Sequence, residues 1–324
     1  MKKNYKLAIH MHSLDWYGAD SQPGTINATM RYMGYDICSL AVKDNAPYAG
    51  KLDTAKYSDD RVLFLDGQEY HPFNWQDKYH DLGHNTYHML AMGVRSCYNR
   101  FTRSLFDDAD VDEYVRTALE HIRKEGGAAC ATHPDDEYWR KYDFDAVDIY
   151  DWDFARRGPD KIEDRPFSEN PVQKAWMEGC RITLMASVDM WGVTRLRRNP
   201  VCNFICYNGD ITRENLVKAV KAGHVMAAFG VETASVALGE YIPGDEVPAS
   251  VLAEGIKCAF TAPEELTELR LWAGDKIVMS ETLPEGTTAL ERTIEIAQYK
   301  DAPYFHLELR GKNAHLISNP FFVK

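Results

Sequence analysis

Several signatures of common enzyme chemistry are missing from this chain. It contains no GxGxxG, no GxxxxGK[ST] and no GxSxG segment. The usual dinucleotide cradle, phosphate loop and serine-nucleophile turn are therefore excluded. Its seven cysteines (Cys38, Cys97, Cys130, Cys180, Cys202, Cys206 and Cys258) form no CxxC pair. An odd number without an export signal reads as reduced, mostly buried thiols. No apolar run approaches the ~20 residues of a membrane-spanning helix. The opening MKKNYKLAIHMHS lacks the continuous apolar stretch of a signal peptide. The expectation is a cytoplasmic protein without a membrane partner. Positive charge is also short: 37 Lys plus Arg stand against 49 Asp plus Glu, a net charge of −12. Such a surface repels phosphate backbones, so no nucleic-acid partner is expected. A small anionic substrate is still compatible, because a bound cation inverts the local field.

What is present is a change of pattern along the chain. Up to about residue 230, short apolar runs alternate with helical stretches. Candidate strands are Tyr5–Ile9, Ile37–Val42, Val62–Asp66, Tyr87–Met92, Ala128–Ala131, Ala146–Ile149, Ile182–Ala186 and Asn203–Tyr207. Candidate helices are Asp110–Glu125, closed by Gly126-Gly127, then Pro171–Glu178 and Arg213–Ala222, each followed by glycine. This is α/β patterning, suited to a barrel of parallel strands or a doubly wound sheet. In both, function gathers at the carboxyl ends of strands. From residue 231 short runs follow one another without strong helices: Ser235–Leu238, Ile256–Thr261, Glu268–Ala273, Lys276–Met279, Thr293–Ala297 and Tyr304–Leu309. Turn signals such as Pro243-Gly244-Asp245 separate them, which predicts a small all-β sandwich over 231–324 after an α/β domain over 1–230. There is no low-complexity linker and no internal repeat.

Six residues combine into a candidate metal site. His10-Met-His12 ends the first strand, and alternate residues of a strand project to one face. Glu69 follows VLFLDG, His88 stands at the mouth of an apolar strand, His133 follows AACAT, and Asp189 follows ITLMASV. Each alone is more often structural than catalytic. Together, five positions at or near the ends of five strands converge on one face if the sheet closes. Imidazole mixed with carboxylate suits Zn, Mn or Fe better than an all-oxygen Mg or Ca cage. A shared carboxylate is a usual way to hold two cations ~3.5–4 Å apart.

The ordered segments AIHMHS, GYDICSLAVKDNA, LDGQEYH, HMLAMGV, ATHP, DAVDIYDWD and LMASVDMWG resemble the PHP (polymerase and histidinol phosphatase) family in order and spacing. The resemblance spans roughly residues 5–230. It implies a distorted seven-stranded β/α barrel with a metal cluster at the strand ends. One ion would take His10, His12, Glu69 and Asp189, and a second would share Glu69 and add His88 and His133. The later segments ALGEYIPGDEV and HLISNPFFV resemble the β-sandwich appended to some PHP hydrolases, including the CehA/McbA-like metallohydrolases.

The family's third ion usually needs an acid soon after the HxH pair, a His in a TDH segment and a His soon after the late Asp. Here those positions read Tyr17, Asn45 and Trp191. The expectation is two ions, with Asp15 or Asp20 as the acids that could rebuild a third site. Lys43 offers fixed positive charge near the missing cation, and Asp44 is a candidate for orienting a ligand. His71, Arg156 and Arg157 are candidates for substrate contact, since Arg binds carboxylate or phosphate bidentately. His80 and His84 read as ordinary loop residues. The favoured reaction is metal-assisted hydrolysis of a small phosphate ester. Hydrolysis of an amide, carbamate or related ester stays open, as does a metal-binding protein with weak or no catalysis.

Overall fold

The computed structural model describes residues 4–14, 21–43, 53–70, 88–97, 108–132, 134, 137–150, 171–187, 189–190, 192–194, 200–207 and 209–324. Up to residue 229 the strands are β1 (Asn4–Met11), β2 (Ile37–Leu40), β3 (Val42–Lys43), β4 (Leu63–Leu65), β5 (Gly67–Tyr70), β6 (Met89–Met92), β7 (Ala128–Ala131), β8 (Ala146–Tyr150), β9 (Thr183–Ala186), β10 (Val201–Cys206) and β11 (Val225–Phe229). The helices are α1 (Pro23–Tyr32), α2 (Asp108–Lys124), α3 (Pro171–Met177) and α4 (Arg213–Lys221). The class is mixed α/β.

Many of these strands are buried on both faces, which is why they read as continuous apolar runs rather than alternations. Helix α2 places Val111, Val115, Ala118, Leu119 and Ile122 in the core at helical spacing. It stops at Gly126, whose φ of 71° a side chain would resist. Thr212 caps α4 by accepting from the Asn215 amide at 3.2 Å. Helix α1 falls where the strand–helix alternation calls for a helix, though its own range was not singled out. Its buried Ile26, Thr29 and Met30 have helical spacing, but Gly24, Thr25, Asn27 and Thr29 weaken the local signal.

Two sheets carry the amino-terminal strands. One includes the path β11-β10-β1-β2-β4, and the other runs β3-β5-β6-β7-β8-β9. They are joined by bends. Strand β2 continues past Ala41 into β3, and β4 past Asp66 into β5, and both pairings, β2–β4 and β3–β5, are parallel. Strand direction departs from an all-parallel barrel. Strand β6 is antiparallel to both β5 and β7, and β10 is antiparallel to β1 and β11. Local sequence carries periodicity but not direction, so this reversal was not legible.

The far edge of β9 is closed by side chains. The Leu184 amide donates to Asn319 Oδ1 at 2.8 Å, and Asn319 Nδ2 donates to the Leu184 carbonyl at 3.0 Å and the Val225 carbonyl at 2.8 Å. Asn203 does the same two residues on, accepting from the Ala186 amide at 2.8 Å and donating to its carbonyl at 2.7 Å. Both carboxamides are buried. Among the described residues no strand pairs with β9 on this side, and the two carboxamides satisfy backbone groups there that would otherwise be orphaned.

The later strands are β12 (Thr233–Leu238), β13 (Glu246–Val247), β14 (Ile256–Thr261), β15 (Leu266–Ala273), β16 (Lys276–Thr282), β17 (Ala289–Ile294), β18 (Tyr304–Gly311), β19 (His315–Ser318) and β20 (Phe321–Val323). Strands β12, β14 and β17 form a separate sheet, and β12 alternates buried and less buried residues. The others share a sheet with β1, because β11 pairs with β19. Strand β17 lies earlier than the Thr293–Ala297 expected, since Glu291 and Arg292 dilute an apolar signal carried by Leu290 and Ile294. The short β19 and β20, interrupted by Asn319-Pro320, were not anticipated.

Candidate metal centre

Four of the candidate ligands meet at the carboxyl end of β1. One donor atom from each of His10, His12, Glu69 and Asp189 lies within 4.8 Å of the others. His10 Nε2 is 3.3 Å from Glu69 Oε1 and 3.2 Å from Asp189 Oδ1. His12 Nε2 is 3.3 Å from Glu69 Oε2 and 3.2 Å from Asp189 Oδ1. His10, His12 and Glu69 are buried. The Asp189 side chain is 27% exposed, the most accessible of the four.

The backbone at this point is unusual. His10 and Asp189 both have positive φ, 60° and 41°. For residues with a Cβ the left-handed region costs about 1 kcal/mol or more each. Hydrogen bonds hold both in place: the Met190 amide donates to the His10 carbonyl at 2.9 Å, and the His12 amide to the Met190 carbonyl at 2.8 Å. Among the described residues these are the non-glycine positions with such φ, and both are candidate ligands.

His88 joins from another direction. Because β6 is antiparallel to β5, its starting end lies beside the end of β5, with Met89 opposite Tyr70. His88 Nδ1 is 3.4 Å from Glu69 Oε1. Its carbonyl accepts from the Thr132 amide at 3.1 Å and the Tyr138 hydroxyl at 2.6 Å. Glu69 therefore touches three imidazoles. Lys43 is the backbone partner of Glu69 in the β3–β5 ladder. His133, Asp44, His71, Arg156, Arg157, Tyr17, Asn45, Trp191, Asp15, Asp20, His80 and His84 lie outside the described residues, as does the Lys43 side chain.

The donor set fits a divalent cation. His12 Nδ1 donates to the Ala41 carbonyl at 2.8 Å, which turns Nε2 towards the carboxylates. Burial works against an imidazolium here. Hydrogen bonds to Asp189 and Glu69, with the charge of both, outweigh burial and push the His12 pKa up to about 9. Burial likewise works against an ionised Asp189, but attraction to His10 and the hydrogen bond from His12 hold its carboxyl well below the usual carboxylate range. The metal-free site thus keeps a proton where buried negative charge concentrates, and a cation would take that place.

Sequence reasoning missed the groups behind the ligands. Asp148, in the middle of β8, is fully buried and accepts hydrogen bonds from Thr132 at 2.9 Å and from Ser187. Thr132 Oγ1 lies 3.4 Å from His10 Nδ1. An acid inside the apolar run Ala146–Tyr150 was the available signal.

No family model matches the chain, and no curated protein matches it. Among solved structures, it is similar to a two-domain protein from Bacteroides vulgatus described as containing a predicted PHP-like metal-dependent phosphoesterase. Identity is 10%, the TM-score is 0.46, and the match covers 99% of this chain and 95% of that one. It is also similar to an amidohydrolase from Chromobacterium violaceum solved with bound sulfate and no metal, at 11% identity and a TM-score of 0.37, over 57% of this chain and 87% of that one.

Proposed function

We propose that the protein is a metal-dependent hydrolase acting on a small phosphate ester, with two ions of Zn, Mn or Fe. One observation carries the reading: imidazole and carboxylate donors from β1, β5 and the segment after β9 converge on one buried point. The position of Glu69 supports two ions rather than one. Its Oε2 faces His12, and its Oε1 faces both His10 and His88. A carboxylate that meets three imidazoles would be shared, one ion taking His10, His12 and Asp189 and the other His88 with His133.

When bound, such ions supply an activated water near neutral pH and polarise the electrophile. The chain's own groups then have separate tasks. His10, His12 and His88 present ring nitrogens. Glu69 and Asp189 offset the positive charge, and Asp189, at the exposed edge, marks where substrate enters. Lys43, the backbone ladder partner of Glu69, is assigned a fixed positive charge for the substrate, Asp44 the orienting of a ligand, and His71, Arg156 and Arg157 the binding of the anion. In fold terms the reading corresponds to a distorted seven-stranded PHP-type barrel over 1–230, with a β-sandwich over 231–324. The bent strand pair and the carboxamide closure of β9 support such a barrel.

The test is metal analysis of purified protein, then assays with Mn or Zn against phosphate monoesters, phosphodiesters, carbamates and amides. Phosphate release that disappears on chelation is the expected result. Amine release without phosphate release would replace phosphoesterase by amidohydrolase activity. Metal without turnover on any of these substrates would leave a binding protein.

A further inference from the structure

Asp148 is as buried as His10, His12 and Glu69, and its hydroxyl partners lead towards three candidate ligands, His10, His88 and Asp189. Its Oδ2 accepts from Thr132 Oγ1 at 2.9 Å and from Ser187 Oγ. All three residues are buried. Ser187 stands two positions before Asp189. Thr132 faces His10 Nδ1 through its hydroxyl at 3.4 Å, and its amide donates to the His88 carbonyl at 3.1 Å. Asp148 thus ties the strand end bearing Asp189 to the residue that contacts His10 and His88.

The direction of these bonds matters. A hydroxyl has one proton, and that of Thr132 goes to Asp148. Its oxygen is then left to accept from His10 Nδ1–H. With Nδ1 protonated, a neutral His10 presents the lone pair of Nε2, the atom that faces Glu69 and Asp189. The opposite arrangement, Thr132 donating to Nδ1, would put the proton on Nε2 and block the metal.

We propose that Asp148 is a positioning residue of the metal centre, which through Thr132 sets the donor direction at His10 and through Ser187 anchors the Asp189 segment. This rests on the metal-site reading above. The residue does not touch an ion. It acts by making one tautomer and one orientation of a ligand the resting arrangement, the kind of support whose loss weakens metal binding by about 10- to 100-fold.

Asp148→Asn tests it, because an amide of the same shape can donate to Thr132 and reverse the chain. The measurement is Co(II) affinity by chelator competition, with the visible spectrum of the bound ion, for wild type, Asp148→Asn, Thr132→Val, Thr132→Ser and the double variant Asp148→Asn/Thr132→Val. Asp148→Asn and Thr132→Val are expected to weaken Co(II) about 10- to 100-fold and to shift its absorption bands. The double variant should be about as weak as Asp148→Asn alone, since Thr132→Val breaks only the Thr132 branch, which Asp148→Asn already breaks. Thr132→Ser keeps the hydroxyl and should bind like wild type. If Asp148→Asn fails to fold, the contrast between Thr132→Val and Thr132→Ser decides. Wild-type affinity and spectrum in both single variants, or losses that multiply in the double variant, would overturn the proposal while leaving the metal site standing. Absence of Co(II) binding by wild type would instead overturn the metal-site reading, and this inference with it.

Discussion

Two buried clusters in this molecule combine histidine with carboxylate, and they are built on opposite principles. Around Glu308 in β18, every close partner donates. Trp272 Nε1 approaches at 3.0 Å, Arg310 Nε at 2.7 Å and His315 Nε2 at 3.0 Å, with Arg270 at 3.7 Å. Burial would raise this carboxyl, but His315 and Arg310 hold it well below its usual range. Around Glu69 the contacts are longer, 3.3–3.4 Å, a second carboxylate shares the space, and two backbones are held in left-handed conformation. A structural cluster saturates its carboxylate. A ligand site gathers two carboxylates around imidazole nitrogens at longer range, where a proton on His12 holds the place a cation would take. Among the described residues the grouping of four potential ligands occurs at Glu69, not at Glu308.

The contrast breaks most clearly on substitution of the two glutamates. Glu69→Gln is expected to lose stoichiometric metal, a fall in affinity beyond about 100-fold, and activity with it. Its metal-free form should stay folded, because Asp189 still pairs with the protonated His12 and a like charge beside Asp189 is removed. Elemental analysis and thermal melts of chelated protein check both halves. Full metal occupancy in Glu69→Gln would refute the bridging role. Glu308→Gln should show the reverse: metal retained, and stability lowered by about 3–5 kcal/mol in urea titrations, since three donors lose their acceptor charge.

A smaller effect is expected from the contact between the two regions. Asn319→Ala strips partners from the Leu184 amide and from the Leu184 and Val225 carbonyls. The cost should be about 2–3 kcal/mol of stability with metal still bound. An unchanged urea midpoint would show that water replaces the carboxamide without loss.

The smallest effect is a slope. His306 lies stacked on Trp272 and edge-on to Trp176, and burial pushes its pKa from 6.5 down to about 3. The unfolded chain binds that proton first, so the folded state's advantage is complete above pH 6.5 and is lost as pH falls towards 3. Between pH 6.5 and 4.5, above the range where Glu308 begins to protonate, the slope should approach about 1.4 kcal/mol per pH unit. His306→Phe should flatten it in urea titrations of metal-free protein, where the other histidines, His12 among them, contribute to both proteins equally.

What could be seen in the sequence followed from period and placement. His10 and His12 stood at a strand end, and Glu69 and Asp189 followed apolar runs, so their convergence needed only that the sheet curve. The entry of His88 from a reversed strand could not be read, because hydrophobic period is the same in either direction. Asp148 was hidden for a different reason. Within Asp145–Asp153 it is one acid among several, and its place inside the short apolar run Ala146–Tyr150 is a weak signal beside its complete burial in the structure. The bounds of β14 agreed with its pattern, Ile256–Thr261, whereas β20 is too short, after Pro320, for any pattern to show.

The carboxamide closure of β9 also bears on how the chain reaches this state. Leu184 and Asn319 are separated by 135 positions, so the free side of β9 stays uncovered until the last sheet has docked. Contacts so distant form late and slowly. During that interval β9 presents an unpaired amide at Leu184 on an apolar strand, an edge that a second unfolded molecule can extend. Refolding yield should therefore fall with protein concentration, and more steeply in Asn319→Ala, where the edge never receives its cover.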